Sequence, residues 1–402
     1  MKKKVQNSMK KNVVLGVSGG IAVYKALEIT SLLIKKNINV NVIMTENATK
    51  FVSPLSFQSL SQNQVACDTF EEPKVWEIQH ISLADKADVF LVAPATANII
   101  GKVANGIADD MLSTTIMATR AKVIFAPAMN TKMYENPIVQ ENIKKLKSLG
   151  YEFVDPAEGR LACGDVGKGK LERPEIIVDK VLMELNEKKD LINKNVVVTA
   201  GPTIAPIDPV RFITNRSSGK MGYAIAREAR NRGANVTLIS GPTNLEIPKG
   251  INAIKVSTNT EMREAVLNAF ESADIVVKSA AVADYKPESY SEQKIKKGHG
   301  SWSLELIRDN DILMELGSIK KNQILVGFAA ESQNLKENAL TKMKKKNLDF
   351  IVANDIISKD TGFASEDNKV IILSKDNEEI CLDKMSKEKI AENLFDVIIK
   401  KR

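Results

Sequence analysis

Histidine and cysteine are both scarce in this chain of 402 residues, and their scarcity excludes several kinds of chemistry. With only His80 and His299, a metal cage built from histidines is close to ruled out. The three cysteines, Cys67, Cys163 and Cys381, are odd in number and far apart, which argues against a disulfide framework and against a paired-cysteine zinc site. Each of these five residues is therefore judged by its own surroundings.

Long apolar runs and aromatic side chains are also rare. The longest apolar stretches, such as residues 87–97, are much shorter than the roughly 20 residues of a membrane-spanning helix, so we expect no membrane segment. Residues 1–8 are basic and polar and lack the apolar core of a signal peptide, which indicates a cytoplasmic protein. Aromatic residues make up 5% of the chain, too few for a typical RNA-binding surface, so we expect no nucleic-acid partner. The net charge of +7 comes largely from lysines spread along helices, so by itself it is weak evidence for a nucleic acid or a phosphate-bearing ligand.

What the chain does contain is an ordinary globular composition, 44% hydrophobic and 27% charged, over a length that predicts two domains. Residues 11–20 and 194–201 open alike, with β-branched residues that lead into a glycine turn, and each predicts a buried strand at the start of an α/β unit. Residues 184–190 between them are polar and predict a linker. We therefore expect a first domain over residues 1–190 and a second over residues 191–402.

Apolar strands and amphipathic helices alternate in both halves, which predicts two Rossmann-like, doubly wound parallel-sheet domains of the α/β class. The ligand sites of such sheets lie at the carboxyl ends of the strands. Residues 369–373 and 379–382, joined through Asp376 and Asn377, predict a late hairpin. Further strands are expected at residues 40–44, 89–93, 122–126, 236–239, 275–277, 324–327 and 350–352, and helices at residues 97–104, 138–149, 219–232 and 335–346.

The glycine turn at residues 16–22 can bring backbone N–H groups close to a phosphate at the start of a helix. Its glycines do not follow the GxGxxG pattern, and a tight turn that needs glycine only for its backbone explains this segment equally well. Residues 94–98 follow another strand end and carry small and hydrogen-bonding side chains. They favour a ligand site, because a nucleotide or a flavin would lie beside both strand ends.

Three residues of the first half are candidates for catalysis. His80 lies among alternating polar and apolar residues, and a structural histidine is the default interpretation. Asn130 follows a strand end, where it can serve simply as a helix cap. Cys163 lies in the glycine-dense polar loop at residues 159–170, which is not the usual place for a buried structural cysteine. A mobile flap that brings a thiol to a substrate fits this loop better.

The second half contains a candidate anion site and two lysine clusters. Residues 208–222 place hydroxyl groups, glycines and two arginines ahead of a helix, although their spacing is not that of a P-loop. Residues 294–297 and 342–346 are basic, and each cluster alone is typical of a solvated face. Together with Asp284 at a strand end, they could neutralise a triphosphate and hold Mg²⁺.

Together these motifs resemble one family over nearly the whole chain: the bifunctional phosphopantothenoylcysteine decarboxylase and phosphopantothenate-cysteine ligase of bacterial coenzyme A biosynthesis. The resemblance implies that the first domain is a flavoprotein of the flavin-containing cysteine decarboxylase type. The motifs similar to this half lie at residues 16–22, 94–98, 105–110, 127–133 and 161–164. The motifs similar to the CTP-dependent ligase half lie at residues 208–222, 280–285, 294–297, 327–331 and 353–356.

The resemblance also implies roles in the first half. FMN would accept a hydride from the cysteine moiety of 4'-phosphopantothenoylcysteine, with His80 as the base, and the resulting thioaldehyde would lose carbon dioxide. Asn130 would bind the substrate carboxylate, and Cys163 would supply a proton as the enethiol is reduced to 4'-phosphopantetheine. The residues implied to bind FMN are Gly16, Ser18, Gly19, Gly20, Thr45, Ala95, Thr96 and Asn98.

For the second half, the resemblance implies that CTP converts the carboxylate of 4'-phosphopantothenate into an acyl-cytidylate with loss of pyrophosphate. The amine of cysteine then displaces CMP. Lys294 would aid the first of these steps and Asn215 the second, and Mg²⁺ would act as a cofactor whose ligands the motifs do not identify. The residues implied to surround CTP are Lys278, Ser279, Ala280, Asp284, Lys294, Asn310, Asp311, Ile312, Leu313, Phe328, Lys342 and Lys346.

The family further implies a homo-oligomer, with trimers of the flavin domain that share each flavin site between protomers and dimers of the ligase domain. Some positions depart from the family pattern: Tyr134 replaces a tryptophan, Lys170 replaces an arginine, and Ile204 and Ala205 stand where charged residues are common. Lysine keeps the charge of arginine but loses its bidentate geometry, so Lys170 would hold a phosphate differently.

Two other functions are considered beside this family. An NAD(P)-dependent reductase with two Rossmann-like domains lacks support, because the chain has neither the GxGxxG turn nor a clear ribose-binding acidic residue. A flavin-binding regulatory protein of the same fold would keep the glycine turn but would not need His80, Asn130 and Cys163 together. Fold alone does not decide between these functions, since doubly wound sheets host many of them.

Overall fold

The computed structural model describes residues 10–70, 78–161, 164–296, 301–331, 335–355 and 367–401. The chain forms two compact units, Met1–Glu187 and Lys188–Arg402, and each is described by itself. Cys163 and the end of the first basic cluster, Lys297, lie outside the described residues. Within the described part of the chain, no helix combines the length and the apolar character needed to cross a membrane.

The first unit alternates strands with helices, as the spacing of its apolar residues predicts. The strand Val89–Ala95 is buried along its whole length, because helices cover both faces of a parallel sheet. The elements of this unit are β1 (Asn12–Val17), α1 (Val23–Lys35), β2 (Asn39–Met44), α2 (Glu46–Thr49), α3 (Pro54–Ser61), α4 (Gln79–Lys86), β3 (Val89–Ala95), α5 (Ala97–Ala104), α6 (Met111–Ala118), β4 (Lys122–Pro127), α7 (Thr131–Tyr134), α8 (Pro137–Ser148), β5 (Glu152–Phe153), β6 (Ala157–Arg160), β7 (Val166–Lys170) and α9 (Pro174–Leu185).

The main sheet of the first unit is parallel, with the strand order β2-β1-β3-β4-β5. One apolar cluster joins β1 to α1 and α9 through residues such as Leu15, Leu33 and Val181. A second cluster on the other face joins β3 to α5 through Phe90 and Ile100. In this doubly wound order, successive strands are added in one direction from β1 to β2 and in the opposite direction from β3 onwards. Ligands bind such sheets at this switch point, between β1 and β3. The strands β6 and β7 form a separate antiparallel hairpin.

The second unit repeats this plan and extends it. Its sheet has the order β12-β11-β8-β13-β16-β17-β18-β19. The elements of this unit are β8 (Asn195–Ala200), β9 (Ile204–Pro206), β10 (Phe212–Thr214), α10 (Lys220–Asn231), β11 (Asn235–Ser240), β12 (Asn252–Lys255), α11 (Asn259–Phe270), β13 (Ile275–Lys278), β14 (Tyr285–Pro287), β15 (Leu306–Arg308), α12 (Ile312–Ile319), β16 (Ile324–Glu331), α13 (Leu335–Lys345), β17 (Phe350–Asp355), β18 (Asp367–Ser374), β19 (Glu379–Ser386) and α14 (Lys387–Lys400).

Two doubly wound α/β units confirm the predicted fold class, and α5 begins and ends at the predicted residues. The late hairpin is also confirmed, as β18 and β19, with Asn377 in its turn at φ 61°. Because a hairpin needs no crossover helix, it adds antiparallel strands to the edge of the sheet. The second sheet is therefore mixed: it is parallel from β12 to β17 and antiparallel beyond.

A buried cluster of charges connects α10 and α14 with the start of the second unit. Arg232, which is fully buried just beyond α10, donates to Glu228 at 2.7 Å and to Asp396 at 2.7 Å, and it pairs with Asp190 at 3.2 Å. Its guanidinium group lies 5.8 Å from the ring centroid of Phe395. A buried cation is stable only when carboxylates surround it in this way.

We expect Arg232→Ala to destabilise the second unit by roughly 3–5 kcal/mol, because the substitution leaves three carboxylates close together without their cation. Urea-induced unfolding followed by circular dichroism measures the loss. Arg227→Ala on the same helix is the control and should cost much less. Equal losses in the two variants would show that the charge cluster does not hold this unit together.

Candidate active sites

The first cavity, of about 1040 Å³, lies at the carboxyl ends of β1, β3 and β4. The buried hydroxyl group of Ser18 joins two of the turns that form it. Ser18 Oγ donates to the carbonyl oxygen of Pro94 at 2.8 Å, and the backbone N–H of Thr96 donates to Ser18 Oγ at 3.0 Å. The turns after β1 and β3 are therefore held together where the strand order changes direction.

Gly19 is required by close packing in this turn. A Cβ atom there would lie 2.7 Å from the backbone carbonyl carbon of Asn47, closer than real Cβ contacts allow. Gly16 and Ala95, by contrast, do not line the cavity. Both lie within strands, where Ala95 is fully buried and a Cβ on Gly16 would meet the side chain of Leu112. The predicted FMN residues that do line the cavity are Ser18, Gly19, Gly20, Thr45, Thr96 and Asn98.

Cationic side chains also line the first cavity, and they suit an anionic ligand. They are Lys25, Lys102, Arg160 and Lys170. Burial lowers the pKa of Lys25, and the charge of Lys170 lowers it further. For Lys102, burial lowers the pKa, but the hydrogen bonds to Asp109 and Asp110 and the charges of these two carboxylates together outweigh it, so that its pKa is raised. An anion beside Lys25 and Lys170 would relieve their mutual repulsion, whereas Lys102 already has carboxylate partners.

Asn130 lines the same cavity and fills the role of helix cap that was considered for it. Its side-chain oxygen accepts from the backbone N–H of Lys132 at 2.8 Å and so caps α7. Its amide nitrogen donates to Oδ2 of Asp165 at 2.9 Å. Asp165 lies in the connection between β6 and β7, in the predicted flap, and the sequence did not single it out as a site residue. The flap is also held by the backbone N–H of Met129, which donates to the carbonyl oxygen of Gly169 at 2.9 Å.

The structure does not bring His80 to Asn130. His80 lies in the first turn of α4, which packs against α6 and β1, and it does not line the cavity. Cys163 belongs to the residues that the structure does not describe. Of the three predicted catalytic residues of the first half, Asn130 is therefore the one seen at the cavity within the described chain.

The second cavity, of about 470 Å³, lies at the carboxyl ends of β13, β16 and β17, beside the start of α10. Ser217, Ser218 and Gly219 present the start of α10 to this cavity. Gly219 adopts a φ of 77°, a conformation that glycine takes readily and other residues avoid. The N–H groups at the start of such a helix attract anions.

The residues predicted to surround CTP converge on the second cavity, with one exception. Those that line it are Lys278, Ser279, Ala280, Asp284, Asn310, Asp311, Ile312, Leu313, Phe328, Lys342 and Lys346. Asn215 lines it as well, and its amide nitrogen donates to the carbonyl oxygen of Val282 at 3.1 Å. The exception is Lys294, which is exposed and does not line the cavity. The backbone N–H of its neighbour Ile295 donates to Asp208 at 3.2 Å, which holds this segment on the loop before β10.

Positive charge is concentrated around Lys278. Burial, together with the charge of Lys346, lowers the pKa of Lys278 to about 8, against the opposing effect of Asp311 and Asp284. Lys346 pairs with Asp311 at 2.8 Å. Burial raises the pKa of Asp311, but the hydrogen bonds from Lys346 and the backbone of Met314, together with the charges of Lys346 and Lys278, outweigh it, so that its pKa is lowered. A phosphate group bound here would favour the charged form of Lys278.

Comparison with known proteins places both halves in described families. The chain matches the Flavoprotein model over residues 1–186 and the model of the DNA/pantothenate metabolism flavoprotein C-terminal domain over residues 191–401. It is 54% identical over 380 residues to the coenzyme A biosynthesis bifunctional protein CoaBC of Bacillus subtilis, with 94% of each chain covered. It is 40% identical over 393 residues to the protein of the same name from Escherichia coli, with 97% of each chain covered.

Two solved structures resemble one half each. The C-terminal domain of a coenzyme A biosynthesis bifunctional protein CoaBC is 41% identical, with 54% of this chain and 98% of that chain covered and a TM-score of 0.47. A PPC decarboxylase mutant complexed with pantothenoylaminoethenethiol is 31% identical, with 43% of this chain and 96% of that chain covered and a TM-score of 0.39. Since its relatives match it over nearly its whole length, the chain belongs to the family of coenzyme A biosynthesis bifunctional proteins and is a bifunctional enzyme with a decarboxylase half and a ligase half.

Proposed function

We propose that residues 191–402 ligate 4'-phosphopantothenate with cysteine at the expense of CTP, and that residues 1–190 decarboxylate the product, 4'-phosphopantothenoylcysteine, to 4'-phosphopantetheine with the help of FMN. The observation that carries most weight is the amide of Asn130, which lines a cavity rich in cations and already donates to a carboxylate. A substrate with both a phosphate and a carboxylate matches this combination.

The first cavity fits FMN. The backbone of the turn at Gly19 is packed too tightly for a side chain, the hydroxyl of Ser18 holds the two turns together, and Lys25 and Lys170 supply positive charge for a phosphate. We infer that Ser18, Gly19, Gly20, Thr45, Thr96 and Asn98 hold the cofactor. When bound, FMN would supply the oxidation and the later reduction of the substrate.

The side chains of the first half bind the substrate and move its protons. Asn130 would hold the substrate carboxylate with the same amide N–H that now binds Asp165, so that substrate and Asp165 compete for it. Cys163 would donate a proton in the final reduction, as the family resemblance implies. Because α4 holds His80 away from the cavity of its own chain, we infer that this base serves a site completed by a second copy, as in the trimer that the family resemblance implies.

In the second cavity, Lys278, Lys342 and Lys346 would neutralise the triphosphate of CTP, together with the start of α10. Asp284 and Asp311 line the same cavity, and one or two carboxylates combined with phosphate oxygens make a suitable environment for Mg²⁺. These residues fit the ion, although within the described chain no cluster of three or more potential ligands forms a ready-made metal site.

The ligation then proceeds in two balanced steps. A carboxylate oxygen of 4'-phosphopantothenate attacks the α-phosphorus of CTP, and the P–O bond to pyrophosphate breaks. The amine of cysteine next attacks the acyl carbon, the C–O bond to CMP breaks, and the amine loses a proton. Asn215 would assist the second step from the cavity wall, and Lys294 would assist the first step from its exposed segment.

We also propose that the ligase domains form a dimer and that the enzyme is cytoplasmic.

A mass-spectrometric assay of the full chain with 4'-phosphopantothenate, cysteine, CTP and Mg²⁺ tests both halves at once. The unaltered enzyme should yield 4'-phosphopantetheine. Asn130→Ala should stop at the cysteine adduct, with decarboxylation slowed about 100-fold, because the substrate carboxylate is no longer positioned. Lys294→Ala should form no adduct but should still decarboxylate added adduct.

Asn136→Ala is the matched control, since Asn136 caps α8 as Asn130 caps α7 but does not line the cavity. It should decarboxylate at the normal rate. If Asn130→Ala did so too, Asn130 would have no part in the reaction, and if the unaltered enzyme formed neither product, the assignment of function would be wrong.

CTP affinity should depend on the titration of Lys278. Its pKa is lowered to about 8, so the side chain is charged below this pH and neutral above it. Binding of a triphosphate favours the charged form of Lys278. The affinity for CTP should therefore be at its maximum below pH 8 and decline about tenfold for each pH unit above it. Isothermal titration calorimetry from pH 7.5 to 9.5 measures this decline. Lys278→Arg keeps its charge and should remove the decline; the same decline in both proteins would assign it to another group.

A further inference from the structure

Two buried amide oxygens at the β17–β18 end of the second cavity have no hydrogen-bond partner among the residues that the structure describes. They are Oδ1 of Asn354 and Oδ1 of Asn368. Both residues line the cavity, and Asn368 is only 6% exposed. Buried acceptors are nearly always paired in proteins. The exceptions therefore point to a ligand that brings its own hydrogen-bond donors.

The two asparagines share one face of the sheet. Asn354 on β17 lies directly opposite Val370 on β18, and Asn368 precedes Val370 by two residues on the same strand. Such diagonal neighbours lie roughly 7–8 Å apart between their Cα atoms, within reach of one small group between their side chains. Lys387, which lines the same cavity, directly follows Ser386, the residue paired with Asp367.

The opposite face of the sheet carries a different chemistry. Leu313, Leu348 and Ile351 belong to the apolar cluster on that face, together with Met343 of α13, the helix that carries Lys342 and ends one residue before Lys346. Val326, Val352 and Val370 belong to the cluster on the face of the two asparagines. The lysine-rich side of the cavity thus suits phosphates, whereas unpaired amide oxygens repel phosphates and carboxylates, which offer only acceptors.

We propose that the oxygens of Asn354 and Asn368 bind the α-amino group of cysteine in the ligation. The proposal rests on the proposed ligase function, in which cysteine is the one substrate with a cationic group.

The amino group attacks in its neutral form. A neutral primary amine has two N–H bonds for two acceptors and keeps its lone pair free to attack the acyl carbon. In that attack the C–N bond forms, the C–O bond breaks and its electron pair leaves with CMP, and the amine proton passes to solvent.

The test compares Michaelis constants in the full-length enzyme. Asn368→Leu removes the acceptor and should raise the KM for cysteine about tenfold or more, with less than about a twofold change in the KM for CTP. Asn368→Asp keeps an acceptor and adds negative charge, so its KM for cysteine should stay within about threefold of the unaltered value or fall below it. Asn252→Leu, at an exposed asparagine of β12, is the matched control and should change neither constant.

Each other result overturns the proposal. An unchanged KM for cysteine in Asn368→Leu would exclude the contact, and a rise confined to the KM for CTP would assign these oxygens to the nucleotide. A larger rise in Asn368→Asp than in Asn368→Leu would mean that an anion binds here. Asn368→Ala, which adds no bulk, replaces the leucine variant if the latter does not fold. Pyrophosphate release by the unaltered enzyme without cysteine tests the ligase function separately, so its failure is distinguishable from failure of the cysteine site.

Discussion

Parallel pairing of the central strands is the constraint on which both sites depend. Parallel strands all end at the same edge of their sheet, so the turns that follow them meet there even when they are far apart in sequence. In the first unit this brings Ser18 beside Thr96, and a single hydroxyl group fastens the two turns together. In the second unit it places the start of α10 beside Lys278 at the end of β13.

Both cavities gather like charges that a folded protein without ligands would avoid. Lys25 and Lys170 disfavour each other in the first cavity, and Lys278 and Lys346 do so in the second. Their mutual repulsion costs stability, which the binding of a phosphate-bearing ligand would recover. Both cavities therefore offer an anion the same electrostatic attraction.

The asparagine side chains that line the two cavities differ in whether their amide groups already have hydrogen-bond partners. Asn130 is satisfied at both ends, because its oxygen caps α7 and its nitrogen binds Asp165. A substrate must displace Asp165 to use that nitrogen. The oxygens of Asn354 and Asn368 have no such partner in the described chain, and a ligand could bind to them without breaking an existing bond.

The class of fold and most strand and helix positions could be predicted from the residues themselves, because apolar periodicity and turn residues act over short distances along the chain. The predicted residues around the two cavities came mainly from the resemblance to a family, and the sequence missed Lys25, Lys102 and Arg160 at the first cavity. It did not separate Gly16, whose α-carbon faces Leu112 in the core, from Gly19, which lines the cavity. Only the tertiary structure placed His80 and Lys294 away from the cavities of their own chain and brought Asn354, Asn368 and Lys387 to one of them. Those positions depend on strand register and on the packing of distant helices, which no local pattern of residues encodes.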